Sequence, residues 1–327
     1  MNVSSALYMI SGCLVTLGLM LGLMPALIDY LHRIKFGQTE RGEGLESHKK
    51  KNGTPTMGGL AFILVPTLVF LLLSLCTPFK LLDMNTGIIL LAYVGYGLIG
   101  FIDDYIIVVK KDNEGLKPAV KFAMQSVLAV VFFLLYRSTA STGVWIPILD
   151  QTIDLGVWYF FLVFIMFTAE TNAVNFTDGV DGLCAGQMVI ALVPFLAFAF
   201  FQQQANVGFL IGLVICALLG YLVFNLHPAK IFMGDTGSLA LGGLIAAVAM
   251  VLKQEILLIL IGAVFVAEVL SVIIQVTHYK RTKKRIFRMA PLHHHYEKGG
   301  WPEEKVVRNF WIAGIVCALL GLWLGVM

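Results

Sequence analysis

Charge is scarce in this sequence. Only 13% of its 327 residues are Asp, Glu, Lys or Arg, against about 25% in a soluble globular chain. No polar block reaches the size of a domain, which excludes a soluble multi-domain protein. Cysteine is sparse too. Cys13, Cys76, Cys184, Cys216 and Cys317 are odd in number and scattered, and most lie inside apolar runs. Without CxxC or Cys/His spacing, they indicate neither a disulfide framework nor a zinc site. No internal repeat and no low-complexity segment is found. The first apolar run follows "MNVSS", which lacks a basic leader, and it ends without a small-residue cleavage pattern. It is therefore expected to be a retained transmembrane helix and not a signal peptide.

Apolar sequence is abundant, at 58% of residues, and runs of 18 or more recur along the chain, each able to cross a ~30 Å hydrocarbon core as a helix. The sequence predicts an all-α polytopic membrane protein, one integral-membrane domain over 1–327. Ten spans are expected, near 5–31, 57–77, 86–108, 119–136, 155–174, 185–202, 206–224, 237–252, 255–277 and 306–326. Pro25 and Pro194 are candidate kinks. The loops then alternate between two sides, and 20 of the 23 Lys and Arg residues fall in or beside one set, leaving Lys80, Arg137 and Lys253 on the other. The positive-inside rule places the basic set in the cytoplasm, with both termini outside. The basic 278–288 segment is expected to form an amphipathic helix at the membrane surface.

The polar motifs all fall on that cytoplasmic side, so they read as one site and not as a path through the bilayer. "FIDDY" sets Asp103 and Asp104 near the end of the third span, where a charge is costly and marks a functional candidate. The plainer alternative is a solvated helix end partnered by Lys110 and Lys111. Neighbouring helical residues point about 100° apart, so the two acids do not share one job: one can face the site while the other orients a neighbouring group. "NFTDGVDGL" puts Asp178 and Asp181 three residues apart among glycines, a pattern that fits either a ligand turn or a capped loop. "FMGDTGS" opens the eighth span at Asp235. An acid there can hold Mg²⁺ beside substrate phosphates or act as a cap. In "PLHHHYEKGG", His293, His294 and His295 are consecutive. They cannot all face one metal from a regular helix, and they suit phosphate or sugar contacts, or simply a solvated loop. Lys49, Lys50 and Lys51 precede a Gly/Pro-rich turn and suit either phosphate or anionic lipid. Glu268, Ser271, Gln275 and His278 form a polar stripe that fits either a headgroup groove or a bond to a neighbouring helix. Together these residues suit metal-assisted chemistry on phosphates at a bilayer surface.

These motifs, together with "GTPTMGG", "FNLHP", "KIFMG" and above all "MAPLHHHYEKGGWPE", closely resemble the phospho-MurNAc-pentapeptide translocases within the polyprenyl-phosphate N-acetylhexosamine-1-phosphate transferase superfamily. The resemblance covers essentially the whole chain. It implies a ten-helix fold in the bacterial cytoplasmic membrane, a Mg²⁺ cofactor and a homodimer. It also implies transfer of phospho-MurNAc-pentapeptide from UDP-MurNAc-pentapeptide to undecaprenyl phosphate, giving lipid I and UMP in peptidoglycan synthesis. No nucleic-acid partner is expected. By the same resemblance Asp103 is the base toward the lipid phosphate, or a nucleophile in a two-step route, and Asp104 supports it. Asp235 is the Mg²⁺ ligand. Asn175, Asp178 and Asp181 contact nucleotide and metal-bound phosphate, while Asn225 and Phe232 hold uridine. His293, His294 and His295 meet diphosphate and sugar. Lys51 and Lys121 contact phosphate or nucleoside. The rival readings are a GlcNAc-1-phosphate transferase of the same superfamily, a secondary ion transporter and a structural membrane scaffold. Clustering at one face and the lack of a repeat weigh against the transporter, and five motifs on one face weigh against the scaffold.

Overall fold

The computed structural model describes residues 3–34, 53–77, 80–110, 115–138 and 140–327. Twelve α-helices are seen among them: α1 Val3–Arg33, α2 Gly59–Cys76, α3 Met84–Lys110, α4 Pro118–Arg137, α5 Tyr159–Thr177, α6 Leu183–Phe201, α7 Ala205–Asn225, α8 Gly234–Val251, α9 Glu255–Ile261, α10 Ala263–Thr282, α11 Leu292–Glu297 and α12 Glu303–Val326. Ten of these are long and apolar enough to cross a membrane. Three local features depart from the expected layout. The ninth span is broken at Gly262 into α9 and α10. The expected surface helix over 278–288 does not form as such: α10 ends at Thr282, Lys283 turns left-handed with φ 58°, and the chain then runs irregularly. Between α4 and α5 lies an antiparallel hairpin of β1 (Gly143–Ile146) and β2 (Gln151–Asp154), in which Gly143 pairs with Asp154 and Ile146 with Gln151. There the Thr142 hydroxyl and the Gly156 N–H both donate to the Asp154 carboxylate and hold it below its ordinary pKa.

The bundle is organised around α8. Every residue of this helix is buried except Asp235. Its sequence explains why it can sit at the centre: "GDTGSLALGGLIAAVAMV" is rich in Gly and Ala, and small residues let neighbouring backbones approach closely where lipid supplies no hydrophobic drive. A Cβ on Gly59 of α2 would collide with the backbone of Gly237 in α8, and a Cβ on Gly100 of α3 would collide with the carbonyl of Asp235. The outer helices instead keep broad apolar faces exposed, such as Leu7, Leu14 and Leu19 on α1 and Leu319 and Trp323 on α12.

At the end of the bundle away from Asp235, a buried polar cluster ties three elements together. Tyr136 and Tyr159 stack with ring centroids 5.3 Å apart. The Tyr159 hydroxyl lies 2.5 Å from Glu255 Oε1 and 3.0 Å from the Tyr136 hydroxyl, and Lys253 donates to the Tyr136 oxygen and the Ser141 carbonyl. The second oxygen of Glu255 has no partner. Tyr159→Phe is thus expected to lower stability by about 2 kcal/mol, the cost of stranding a buried acceptor. A thermal melt in detergent unchanged from wild type would show that the hydroxyl contributes nothing.

Candidate active site

The opposite end of the bundle gathers residues from helices far apart in sequence. Asp103 (α3) is buried. Its Oδ1 accepts the N–H of Leu116 at 2.6 Å, and its Oδ2 lies 3.2 Å from Lys121 Nζ of α4. Lys121 also pairs with Asp235 Oδ2. One ammonium therefore bridges two carboxylates brought from α3 and α8. On its other side Asp235 Oδ1 accepts from Asn175 Nδ2 of α5 at 2.8 Å, and the same amide donates to Ser238 Oγ at 2.9 Å.

Asp104 faces a different direction and does a different job. Its Oδ1 accepts the N–H of Asp235 at 3.1 Å. Its Oδ2 accepts the N–H of Thr236 at 2.9 Å and the Thr236 hydroxyl at 2.6 Å. Asp104 thus caps the N-terminus of α8 from another helix, where free N–H groups and the helix dipole favour an anion. The N-cap residue of α8, Met233, makes no side-chain cap bond of its own. The cap requires α3 to lie directly against the start of α8, which is what glycine at position 100 allows.

The segment before α2 completes this wall. Gly58 N–H donates to Phe232 O at 2.8 Å, Gly59 N–H to Met233 O at 3.1 Å, and Phe232 N–H to Pro55 O at 2.8 Å. Phe232 is half-buried. Asn225 is buried, and its amide spans two loops: Oδ1 accepts from Gly182 N–H at 3.1 Å and Nδ2 donates to Ile231 O at 2.9 Å. Asp178 is half-buried at the C-cap of α5. Asp181 sits in the same connection between α5 and α6. Its Oδ2 faces His227 Nδ1 at 3.0 Å and accepts Ala229 N–H at 3.0 Å, and its own N–H donates to Glu303 Oε1 at 2.7 Å. Asp181, His227 and Glu303 each bring one donor atom within 4.8 Å of the others, a histidine held between two carboxylates. His227 and Glu303 had no assigned role in the sequence reading.

The histidine triplet lies on α11. His293 is fully buried, with its N–H and Nδ1 each 3.2 Å from Glu268 Oε1 of α10. A Cβ on Gly179 would strike its imidazole, so α11 rests directly on the "NFTDGVDG" turn. His294 Nδ1 lies 2.7 Å from Glu297 Oε2, and His295 Nδ1 accepts Arg288 N–H at 3.0 Å. The polar stripe of α10 is therefore spent on this end of the protein: Glu268 holds α11, and Gln275 holds the backbone of residues 286 and 287. Lys51, with Lys49 and Lys50, lies outside the described residues.

Two carboxylates bridged by a lysine at one end of a ten-span bundle suit a membrane-embedded sugar-phosphate transferase. The sequence matches glycosyl transferase family 4 over residues 86–253, the stretch that carries Asp103, Lys121, Asn175 and Asp235. Residues 51–63 match the phospho-N-acetylmuramoyl-pentapeptide-transferase signature 1. The chain is 51% identical over 312 residues to the phospho-N-acetylmuramoyl-pentapeptide-transferase of Staphylococcus saprophyticus, covering 93% of this chain and 95% of that one. It is 50% identical over 320 residues to those of Bacillus mycoides and Bacillus thuringiensis, covering 96% of this chain and 98% of each relative. The chain belongs to the phospho-N-acetylmuramoyl-pentapeptide-transferase family.

Proposed function

We propose that this protein transfers phospho-MurNAc-pentapeptide from UDP-MurNAc-pentapeptide to undecaprenyl phosphate in the bacterial cytoplasmic membrane. A phosphate oxygen of the acceptor forms a bond to the sugar-linked phosphorus of the donor. The bond between that phosphorus and the bridging oxygen breaks, and UMP leaves with the electron pair. Lipid I remains in the bilayer. The observation that carries this reading is the Asp103–Lys121–Asp235 bridge, which places two acids and a cation where the only unburied residue of α8 opens toward water.

Asp103 is the group that meets the lipid phosphate, as base or as nucleophile, held in place by Leu116 N–H. Lys121 keeps the two like charges together and can release either carboxylate to bind an incoming phosphate. Asp104 supports both by fixing the start of α8. Asn175 orients Asp235. Asp178, Asp181, Asn225 and Phe232 line the two connections assigned to the nucleotide; Asn225 acts through the backbone it ties, and the Phe232 ring stacks on uracil. His294 and His295 meet diphosphate and sugar, with His293 and Glu268 setting the position of α11. Lys51 is a further phosphate contact. Asp235 and Asp103 offer the hard oxygen donors that suit Mg²⁺; when bound, the ion offsets the charge of the phosphates that meet there. The distribution of Lys and Arg supports a cytoplasmic site and extracytoplasmic termini. The chain acts as one domain and as a homodimer, the latter tested by cross-linking in native membrane.

The deciding assay follows UMP release by purified protein given both substrates, with and without Mg²⁺. Release that needs lipid phosphate, Mg²⁺ and the MurNAc-pentapeptide donor is expected. Turnover of UDP-GlcNAc instead would make the substrate assignment wrong, and no turnover of either donor would sink the transferase reading.

A further inference from the structure

Asp181, His227 and Glu303 come from three separate segments: the connection between α5 and α6, the connection between α7 and α8, and the first residue of α12. One donor atom from each lies within 4.8 Å of the others, and among the described residues no other three His, Cys, Asp or Glu side chains converge this way. His227 Nδ1 is 3.0 Å from Asp181 Oδ2 and 3.6 Å from Glu303 Oε2. Atoms ~2.1 Å from a tetrahedral ion lie about 3.4 Å from one another, so these two separations bracket what a zinc-sized ion needs. The set shares no residue with the Asp103–Lys121–Asp235 bridge.

Charge also favours an ion. The Asp181 and Glu303 side chains are only 2% and 9% exposed. Two carboxylates held this close and this deep repel each other unless a cation sits with them. An imidazole carries at most one positive charge, whereas a divalent ion carries two and leaves the set neutral. The supporting bonds are those a metal centre uses. Glu303 Oε1 accepts the N–H of Asp181 at 2.7 Å, which leaves Oε2 to face the histidine, and Ala229 N–H donates to Asp181 Oδ2 at 3.0 Å. Glu304 Oε1 approaches His227 Nε2 at 3.9 Å. That is the ring nitrogen opposite Nδ1, where a carboxylate partner fixes the tautomer and makes the imidazole a better ligand. His227 is 37% exposed, so its side of the site is open to water and to an entering ion.

We propose that Asp181 Oδ2, His227 Nδ1 and Glu303 Oε2 bind a divalent transition metal of the zinc class, with water as the fourth ligand. One nitrogen and two carboxylate oxygens suit such an ion better than Mg²⁺, which takes oxygen ligands in near-octahedral geometry. The bound ion pins the start of α12 to the two connections. The site does not depend on the proposed reaction, and its test reads binding.

The test titrates Zn²⁺ into the full purified chain in detergent, in competition with a chromophoric chelator. Wild type is expected to bind one Zn²⁺ per chain, and an excess of Mg²⁺ should not displace it. Loss of an outer-shell partner costs about 10- to 100-fold in metal affinity. Glu304→Gln is therefore expected to weaken binding about 10-fold, and His227→Gln, which removes a ligand, at least about 100-fold. Glu304 is exposed, so its variant should melt like wild type and reads binding free of any change in folding. Asp235→Asn should leave the affinity unchanged. X-ray absorption of the bound zinc should show only nitrogen and oxygen, at about 2.0–2.2 Å. No zinc bound, or wild-type affinity in His227→Gln, overturns the proposal. So does sulfur in the zinc shell, which would place the ion at one of the free cysteines. Loss of zinc in Asp235→Asn would assign the ion to the lysine-bridged carboxylates and also overturn it.

Discussion

Asp103→Asn is expected to lower the rate of UMP release at saturating substrates by about 10³-fold, the middle of the range for removing a positioned base, while leaving the protein folded. The geometry separates the two effects. Asparagine has the shape of aspartate, and its carbonyl oxygen can keep the bond from Leu116 N–H that Oδ1 accepts at 2.6 Å. The other atom becomes an NH₂ facing Lys121, which sits 3.2 Å from Oδ2. Two donors then oppose each other, and Lys121 is left wholly to Asp235. The melting midpoint should move little, because the backbone tie remains. Lys121→Met should also depress turnover, since Asp103 and Asp235 would face each other without the cation between them. The two changes disable one unit, so the double variant should cost about as much as the worse single one. If the Asp103 variant keeps more than about a tenth of the wild-type rate, neither the base nor the nucleophile role survives.

The bundle was legible in the sequence because its signal is coarse. A run of 18 apolar residues predicts a span whatever it packs against, and α4, expected at 119–136, is found at Pro118–Arg137. The departures occur where the controlling contact is not local. Gly262 lies in an apolar run like many others, so nothing in the sequence marks the break between α9 and α10. The 278–288 segment has the charge of a surface helix, but Gln275 binds the backbone beyond Thr282 and holds it open. The hairpin strands are four residues each, too short for an alternating pattern to register. In the site, acids inside oily sequence could be picked out because charge at membrane depth is rare. Their partners could not. Asp104 is 131 and 132 residues from the two N–H groups it caps, and His227 and Glu303 are ordinary polar residues until folding sets them around Asp181.

That distant cap gives the largest expected effect on stability. Asp104→Ala removes an acceptor from two backbone N–H groups and one hydroxyl at the buried start of α8. The Thr236 N–H cannot turn to water, because Thr236 is fully buried. The lost hydrogen bonds and the lost charge at a helix N-terminus should together cost about 3–5 kcal/mol. In a thermal melt the midpoint should fall on the order of 10 °C. Activity should fall too, but as a consequence, since Asp235 is the next residue after the loosened Gly234. Thr236→Val removes only the hydroxyl link and should cost about 1 kcal/mol. Asp104→Asn keeps one acceptor oxygen and should lie between the two. This ordering distinguishes a cap from a reacting group. A cap predicts that melting and turnover decline together from Thr236→Val through Asp104→Asn to Asp104→Ala. A reacting carboxylate predicts that both Asp104 variants lose turnover equally while their melting midpoints stay near wild type. If the second pattern appears, the bonds from Asp104 to α8 hold a catalytic group in place, and "FIDDY" contains two reacting acids instead of one.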